Sequence, residues 1–285
     1  MSTRSVVLGI LAGLVARPSL ADACTCATPA VQVFPGASEE APLNSHVYLI
    51  VPLEAVGALD KVNFEVRPTL SREEEKARRK KQRKKKKRAA AAAAMPALEV
   101  DRRETASAAV GFVELTPKTA LAAGTPYQVW MIIGDGKPAV VGGFTTGTAR
   151  DDAAPTWAGM TGASWKTLPA TPGTCQTGRA HVVLEHTPAK DGEGDRVLYG
   201  IWTAEPSAKI DYAIPPRAYA VDWNGRLALG PASTCVPSSV DLPAAGGLRL
   251  GVKAIDRAGN ASAASEQKVA PPAPRLPAAS IKGAK

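Results

Sequence analysis

Three histidines, four cysteines and one tight group of carboxylates are the residues of this chain whose types could bind a metal or move a proton. His181 and Glu185 fall on one face of a strand spanning 180 to 185, whereas His186 turns to the opposite face, so the pair of histidines does not form a shared ligand set. Their expected role is that of ordinary exposed strand residues, and His46 stands alone in the other half of the chain. Asp191-Gly-Glu-Gly-Asp195 reads first as a hairpin turn, because a calcium loop needs further oxygen ligands and a closing bidentate acid. Gly134-Asp-Gly136 is a turn between two strands by the same reasoning, not a phosphate loop. A nucleophilic serine would sit on a strand-to-helix elbow, and Gly162-Ala-Ser164 lacks both the Gly-x-Ser-x-Gly frame and a following helix. Cys24-Thr-Cys26 has no second cysteine pair at zinc spacing. The expectation is therefore a protein with no catalytic residue, no resident metal and no cofactor.

Charge supplies the strongest physical signal. Net charge is +9, with 35 Lys and Arg against 26 Asp and Glu. Residues 71 to 94 alone contain 12 of the basic residues and three of the acidic ones, which leaves 23 of each elsewhere and a neutral remainder. The cations Lys76, Arg78, Arg79, Lys80, Lys81, Arg83, Lys84, Lys85, Lys86, Lys87 and Arg88 make a local field that attracts phosphate, acidic polysaccharide or anionic headgroups and weakens with salt. No aromatic is interleaved for base stacking, so specific nucleic-acid readout is not expected. The competing reading is a solvated low-complexity insertion with no fixed partner. Ser71 followed by Glu73 to Glu75, and Met95-Pro96 after six alanines, are helix start and stop signals, so the segment is expected to be a helix or fraying arm.

The elements that would carry these residues are short strands. Residues 31–34, 47–51, 62–66, 97–100, 110–115, 127–133 and 140–145 alternate apolar and polar positions between Pro, Gly, Asn and Asp breaks, the strand count of a small sandwich. The polar, unpatterned stretch from Thr148 to Pro155 marks a boundary. Beyond it, residues 156–164, 180–185, 196–202, 210–214, 219–223, 226–229, 248–255 and 265–269 repeat the pattern, with Asp256-Arg-Ala-Gly-Asn260 as the turn of a terminal hairpin. No helical period of 3.6 residues occurs outside the basic segment. The fold class expected is all-β: two tandem immunoglobulin-like β-sandwiches over residues 27–148 and 152–269, a basic helical insertion at 71–94 in the first, and a disordered Pro- and Ala-rich tail from 270. Of the five tryptophans, Trp130 and Trp202 read as core, while Trp157 and Trp165, near the boundary, either pack the domains together or face a glycan.

Arg4, an apolar run from Val6 to Val15 and Ala21-Asp-Ala23 make residues 1–23 a secretory signal peptide, too short in its apolar part to span a bilayer. A lipid anchor at Cys24 fits less well, because Leu20 lies four positions before it instead of three. Export places the cysteines in an oxidising compartment, where Cys175 and Cys235 are the preferred disulfide, although four cysteines allow three connectivities.

Three phrases resemble a known family. Val33-Phe-Pro-Gly-Ala-Ser-Glu-Glu-Ala-Pro-Leu-Asn44, Leu121-Ala-Ala-Gly-Thr-Pro-Tyr-Gln-Val129 and Gly143-Phe-Thr-Thr-Gly147 are similar to the bacterial Ig-like domains of surface-layer and secreted proteins. Asp152-Ala-Ala-Pro-Thr156 together with residues 250–262 resembles the Ig-like or fibronectin-type repeats of exported bacterial proteins. The basic insertion and the cysteines depart from that pattern. The resemblance implies a non-catalytic structural or adhesive module that is secreted, periplasmic or at the cell surface. Its expected partners are anionic polysaccharide, lipopolysaccharide or a membrane surface, met through the insertion, with no transmembrane span after signal cleavage. A carbohydrate-binding module, or an accessory domain of an extracellular enzyme, is the alternative. Oligomeric state is left open.

Overall fold

The computed structural model describes residues 30–70, 76, 95–107, 109–167, 180–192, 196–222, 225–230, 240, 242 and 247–270. Residues 1–29, where the signal peptide is expected, the four cysteines and the tail from 271 lie outside the described residues, as does the insertion apart from the exposed Lys76. The helix expected there, and the Cys175–Cys235 bridge, therefore fall outside them too.

β1 (Gln32–Phe34), β2 (Glu40–Ala41), β3 (Val47–Pro52), β4 (Val62–Pro68), β5 (Val100–Ala106), β6 (Val110–Pro117), β7 (Pro126–Ile133) and β8 (Ala139–Thr146) form two sheets, ordered β1-β3-β6-β5 and β2-β8-β7-β4. One helical turn, α1 (Leu53–Val56), bridges β3 toward β4. The remaining strands are β9 (Met160–Thr167), β10 (Ala180–His186), β11 (Leu198–Ala204), β12 (Ala218–Val221), β13 (Arg226–Leu229), β14 (Leu248–Ile255) and β15 (Ser265–Val269). They form sheets ordered β13-β10-β9 and β12-β11-β14-β15. The all-β, tandem-sandwich expectation holds.

Alternation builds each core. In β3, Val47, Leu49 and Val51 join Val113 and Leu115 of β6 and Phe64, Val66, Val129 and Phe144 of the facing sheet. In the second sandwich Val182 and Leu184 of β10 meet Leu227 and Leu229 of β13 and Leu250 and Val252 of β14. The Leu-x-x-Gly-Thr-x-Tyr phrase closes one end of the first sandwich. Gly124 adopts φ +60°, the Ala122 amide donates to the Tyr127 hydroxyl oxygen at 2.9 Å, and Thr146 Oγ1 donates to the Ala122 carbonyl at 2.5 Å. Tyr127 then stacks on Phe144, ring centres 5.5 Å apart.

Three strand expectations are corrected. The strand placed at 97–100 is β5, running from Val100 to Ala106. Its Asp101, Arg102, Arg103 and Glu104 are exposed on an edge, so they show no apolar alternation to read. The segment 210–214 is not a strand but a loop laid over the outer face of β11 and β14: the Trp202 indole donates to the Ile214 carbonyl at 2.9 Å, and Tyr212 packs edge-on to Trp202 at 5.2 Å. The first strand of the second sandwich begins at Met160, after Thr156 makes only an isolated bridge to Lys190.

Candidate functional site

The sequence pointed to one site, the basic arm, and the described residues show its base. β4 leads out to the insertion on an edge strand, and both of the arm's ends are tied down. The Thr69 amide donates to the Pro126 carbonyl at 2.8 Å, and the Leu98 amide to the Val66 carbonyl at 2.8 Å. Toward the other end of β4, Arg102 spans the gap between the sheets, donating to the carbonyls of Val62 (2.7 Å) and Leu59 (3.0 Å) with its guanidinium 5.8 Å from the Phe64 ring. Arg102 is thus held by the sandwich and paired with Glu104, and it does not extend the arm's cationic surface. Among the arm's own cations only Lys76 is described, and it is exposed.

The strand histidines are not exposed, contrary to expectation. His181 is 4 % and His186 6 % exposed. His181 and Glu185 do share a face of β10, but the chain around Gly230 (φ +93°) and Leu242 covers the His181 position. His186 turns inward past a register shift in the strand, with Nε2 2.9 Å from Asp222 Oδ1 and Nδ1 3.1 Å from the Thr187 carbonyl. Trp157 and Tyr199 pack around it at 6.0 and 4.6 Å. The His186 side chain is enclosed, while its partner Asp222 stays partly exposed. Burial also pushes the Tyr199 hydroxyl above its ordinary range.

Trp157 and Trp165 are both partly buried and pack against the core cluster of the second sandwich. The Trp157 indole donates to the Thr187 carbonyl at 3.0 Å. His46, which the sequence leaves standing alone, is one of the positions that join the two halves: Nδ1 lies 2.7 Å from Glu114 Oε1 and the ring rests against Gly259.

Asp191 enters a grouping that its own loop did not announce. Asp151, Asp191 and Asp256 place carboxylate oxygens within 4.8 Å of one another, although they are far apart in the chain. Asp256 is fully buried, and burial first, with Asp151 nearby, pushes its carboxyl above the usual range while hydrogen bonds from Asn260 oppose the shift. Asn260 donates from its backbone to Asp256 Oδ1 (2.8 Å) and from Nδ2 to Asp256 Oδ2 (2.9 Å), the Asp151 carbonyl (3.0 Å) and the Ala153 carbonyl (3.1 Å). Calcium would need six to eight oxygens. Here the Asn260 amide already serves the Asp256 oxygens, and Asn260 with Asp256 forms a hydrogen-bonded clasp on the segment between the sandwiches, with the Asp191 carboxylate beside it. Asn44 completes it, donating Nδ2 to the Asp151 carbonyl (2.7 Å) and accepting the Asp151 amide (2.9 Å). Among the described residues, no helix is long and apolar enough to cross a membrane.

No protein-family model matches the chain, and no curated protein matches it. Solved structures similar to it include the N-terminal Ig1-2 module of the Drosophila receptor protein tyrosine phosphatase DLAR, at 11 % identity and TM-score 0.25, covering 85 % of this chain and 99 % of that one. The fibronectin(III)-like modules of Clostridium thermocellum CbhA match at 12 % identity and TM-score 0.25, covering 84 % and 93 %. The tandem Ig repeats of Dlar match at 11 % identity and TM-score 0.26, covering 84 % and 97 %. The layered strand pairing described above, two sheets over one core in each half, is what makes the fold immunoglobulin-like.

Proposed function

We propose that this chain is an exported, non-catalytic structural or adhesive module whose first sandwich holds out a polybasic arm to a polyanionic surface. The observation that carries the reading is the pinned base. Thr69 and Leu98 are bonded into the neighbouring strand edges, so 12 cations against three acids issue from one fixed place on a body that is otherwise neutral. A neutral body gives no competing field, and a concentrated arm recruits anionic polysaccharide, lipopolysaccharide or anionic headgroups by counterion release, without shape-specific contacts. The signal-peptide pattern of residues 1–23 supports export. The burial of His181 and His186 and the packing of Trp157 and Trp165 favour a structural role over an enzyme or a sugar-stacking module.

Deleting residues 71–94 and measuring retention on immobilised heparin and on lipopolysaccharide tests the reading. Full-length protein is expected to be retained at low salt and to elute as salt rises, and the deletion to pass through. Equal retention of both forms would sink the arm's role. Fractionation with intact-mass measurement checks export: an unprocessed chain in the cytoplasm would count against it.

A further inference from the structure

The outer face of a sandwich sheet ordinarily meets water and carries polar side chains. The outer face of β1-β3-β6 does not. Phe34, Tyr48, Val110 and Phe112 point away from their own core, yet none is more than 8 % exposed. They belong instead to one continuous apolar cluster with Leu198, Tyr219 and Ile255 of the second sandwich. Tyr219 sits 5.2 Å from Tyr48 and 6.1 Å from Phe112, ring centre to ring centre. The two sandwiches therefore meet sheet against sheet, and the molecule is a stack of four sheets.

Polar contacts seal one side of the seam. The Arg257 carbonyl accepts the His46 amide (2.7 Å) and the Ser45 hydroxyl (3.0 Å), and the Arg257 guanidinium donates to the Glu40 carbonyl. The His46 ring lies so near Gly259 that a Cβ built there would stand 2.5 Å from the imidazole. Gly259 also needs φ +85°, so the tight turn and the close approach call for the same residue.

We infer that the two sandwiches fold and unfold as one cooperative body, each supplying the cover for an apolar face of the other. Domains on a chain are free to reorient unless the surface between them is large and apolar. Separation here would bare the three aromatic rings of Phe34, Tyr48 and Phe112 on one side and Tyr219, Leu198 and Ile255 on the other, an exposed patch of the kind soluble monomers avoid. Burial, with Glu114 nearby, pushes the Tyr48 hydroxyl well above its ordinary range, and burial does the same to Tyr219, as befits phenols enclosed on both sides. The inference is independent of what the basic arm binds.

Calorimetry of the mature, full chain with amide exchange tests it. A single transition is expected, with calorimetric and van't Hoff enthalpies equal for the whole molecule. Tyr48→Ala, a change in the first sandwich, is expected to lower that one midpoint by about 10 °C. It should also speed exchange in β10 and β13 of the second sandwich by the same factor as in β4 and β7. Two separated transitions in the unmodified protein would overturn the inference without reference to any variant. So would a Tyr48→Ala protein whose β10 and β13 amides keep their original protection.

Discussion

At the residue scale the segment between the sandwiches is governed by amides and carboxylates serving one another. Asp256 caps its own turn by accepting from Asn260, and its buried carboxyl titrates above the ordinary value. A carboxyl whose pKa is raised on folding favours the folded state below its unfolded pKa. That advantage is lost as pH rises through the folded value. Asp256→Ala should cost about 1 to 3 kcal/mol, because the Asn260 amide loses its buried acceptor. Asp256→Asn keeps one acceptor and removes the repulsion with Asp151, so it should cost less and abolish that part of the pH dependence. Urea melts of the three proteins from pH 4 to 7 measure both effects. None of this was legible beforehand. Asn44, Asp151, Asp191 and Asp256 stand in four separate loops, and only the fold brings them together. The Pro-Leu-Asn phrase ending at Asn44 and the Asp-Arg-Ala-Gly-Asn turn were visible as turn chemistry without their shared target.

At the scale of elements, strands could be read from period two and turn breaks, as at 226–229, 248–255 and 265–269, whose bounds match β13, β14 and β15. Misreadings came where that rule loses its cause. β5 is an exposed edge, so nothing forces alternation; the 205–217 loop alternates because Ile210 and Tyr212 cover Trp202, not because it pairs in a sheet. His181 and His186 looked exposed because loop cover cannot be read from a strand's own letters. Tyr212 illustrates what that loop contributes. Its ring lies over Gly251, its hydroxyl donates to Glu266 at 3.1 Å, and Lys253 Nζ sits 4.7 Å from its centre. Burial and then Glu266 push the hydroxyl up to about 12. Tyr212→Ala should destabilise by about 1 to 2 kcal/mol. It should also add a red-shifted component to tryptophan emission that is absent when Trp202→Phe is made as well; an unshifted spectrum would mean that the loop does not shield the indole.

At the scale of the whole molecule, composition separated a neutral body from a charged arm, and pattern divided the body into two sandwiches. What pattern could not show was that Phe34, Tyr48 and Phe112 face a second body. An apolar residue on the outer side of a strand breaks the alternation rule or marks a neighbour, and the letters alone do not say which. Sheet-to-sheet docking also distinguishes this pair from beads on a string, since the seam involves the widest faces of both.

The stitched base of the arm at Thr69 and Leu98 has a consequence for how such a chain tolerates change. Because both ends are fastened into neighbouring strands before the excursion begins, the sandwich experiences only the entropy of closing a loop. That entropy grows by about 0.6 kcal/mol for each doubling of length. Exchanging residues 71–94 for ten residues of glycine and serine should therefore move the melting midpoint by no more than a few degrees, checked by a thermal scan. A docking place with so little mechanical cost can receive, lengthen or shed a passenger segment freely, and charge can be gained or lost there without renegotiating the fold.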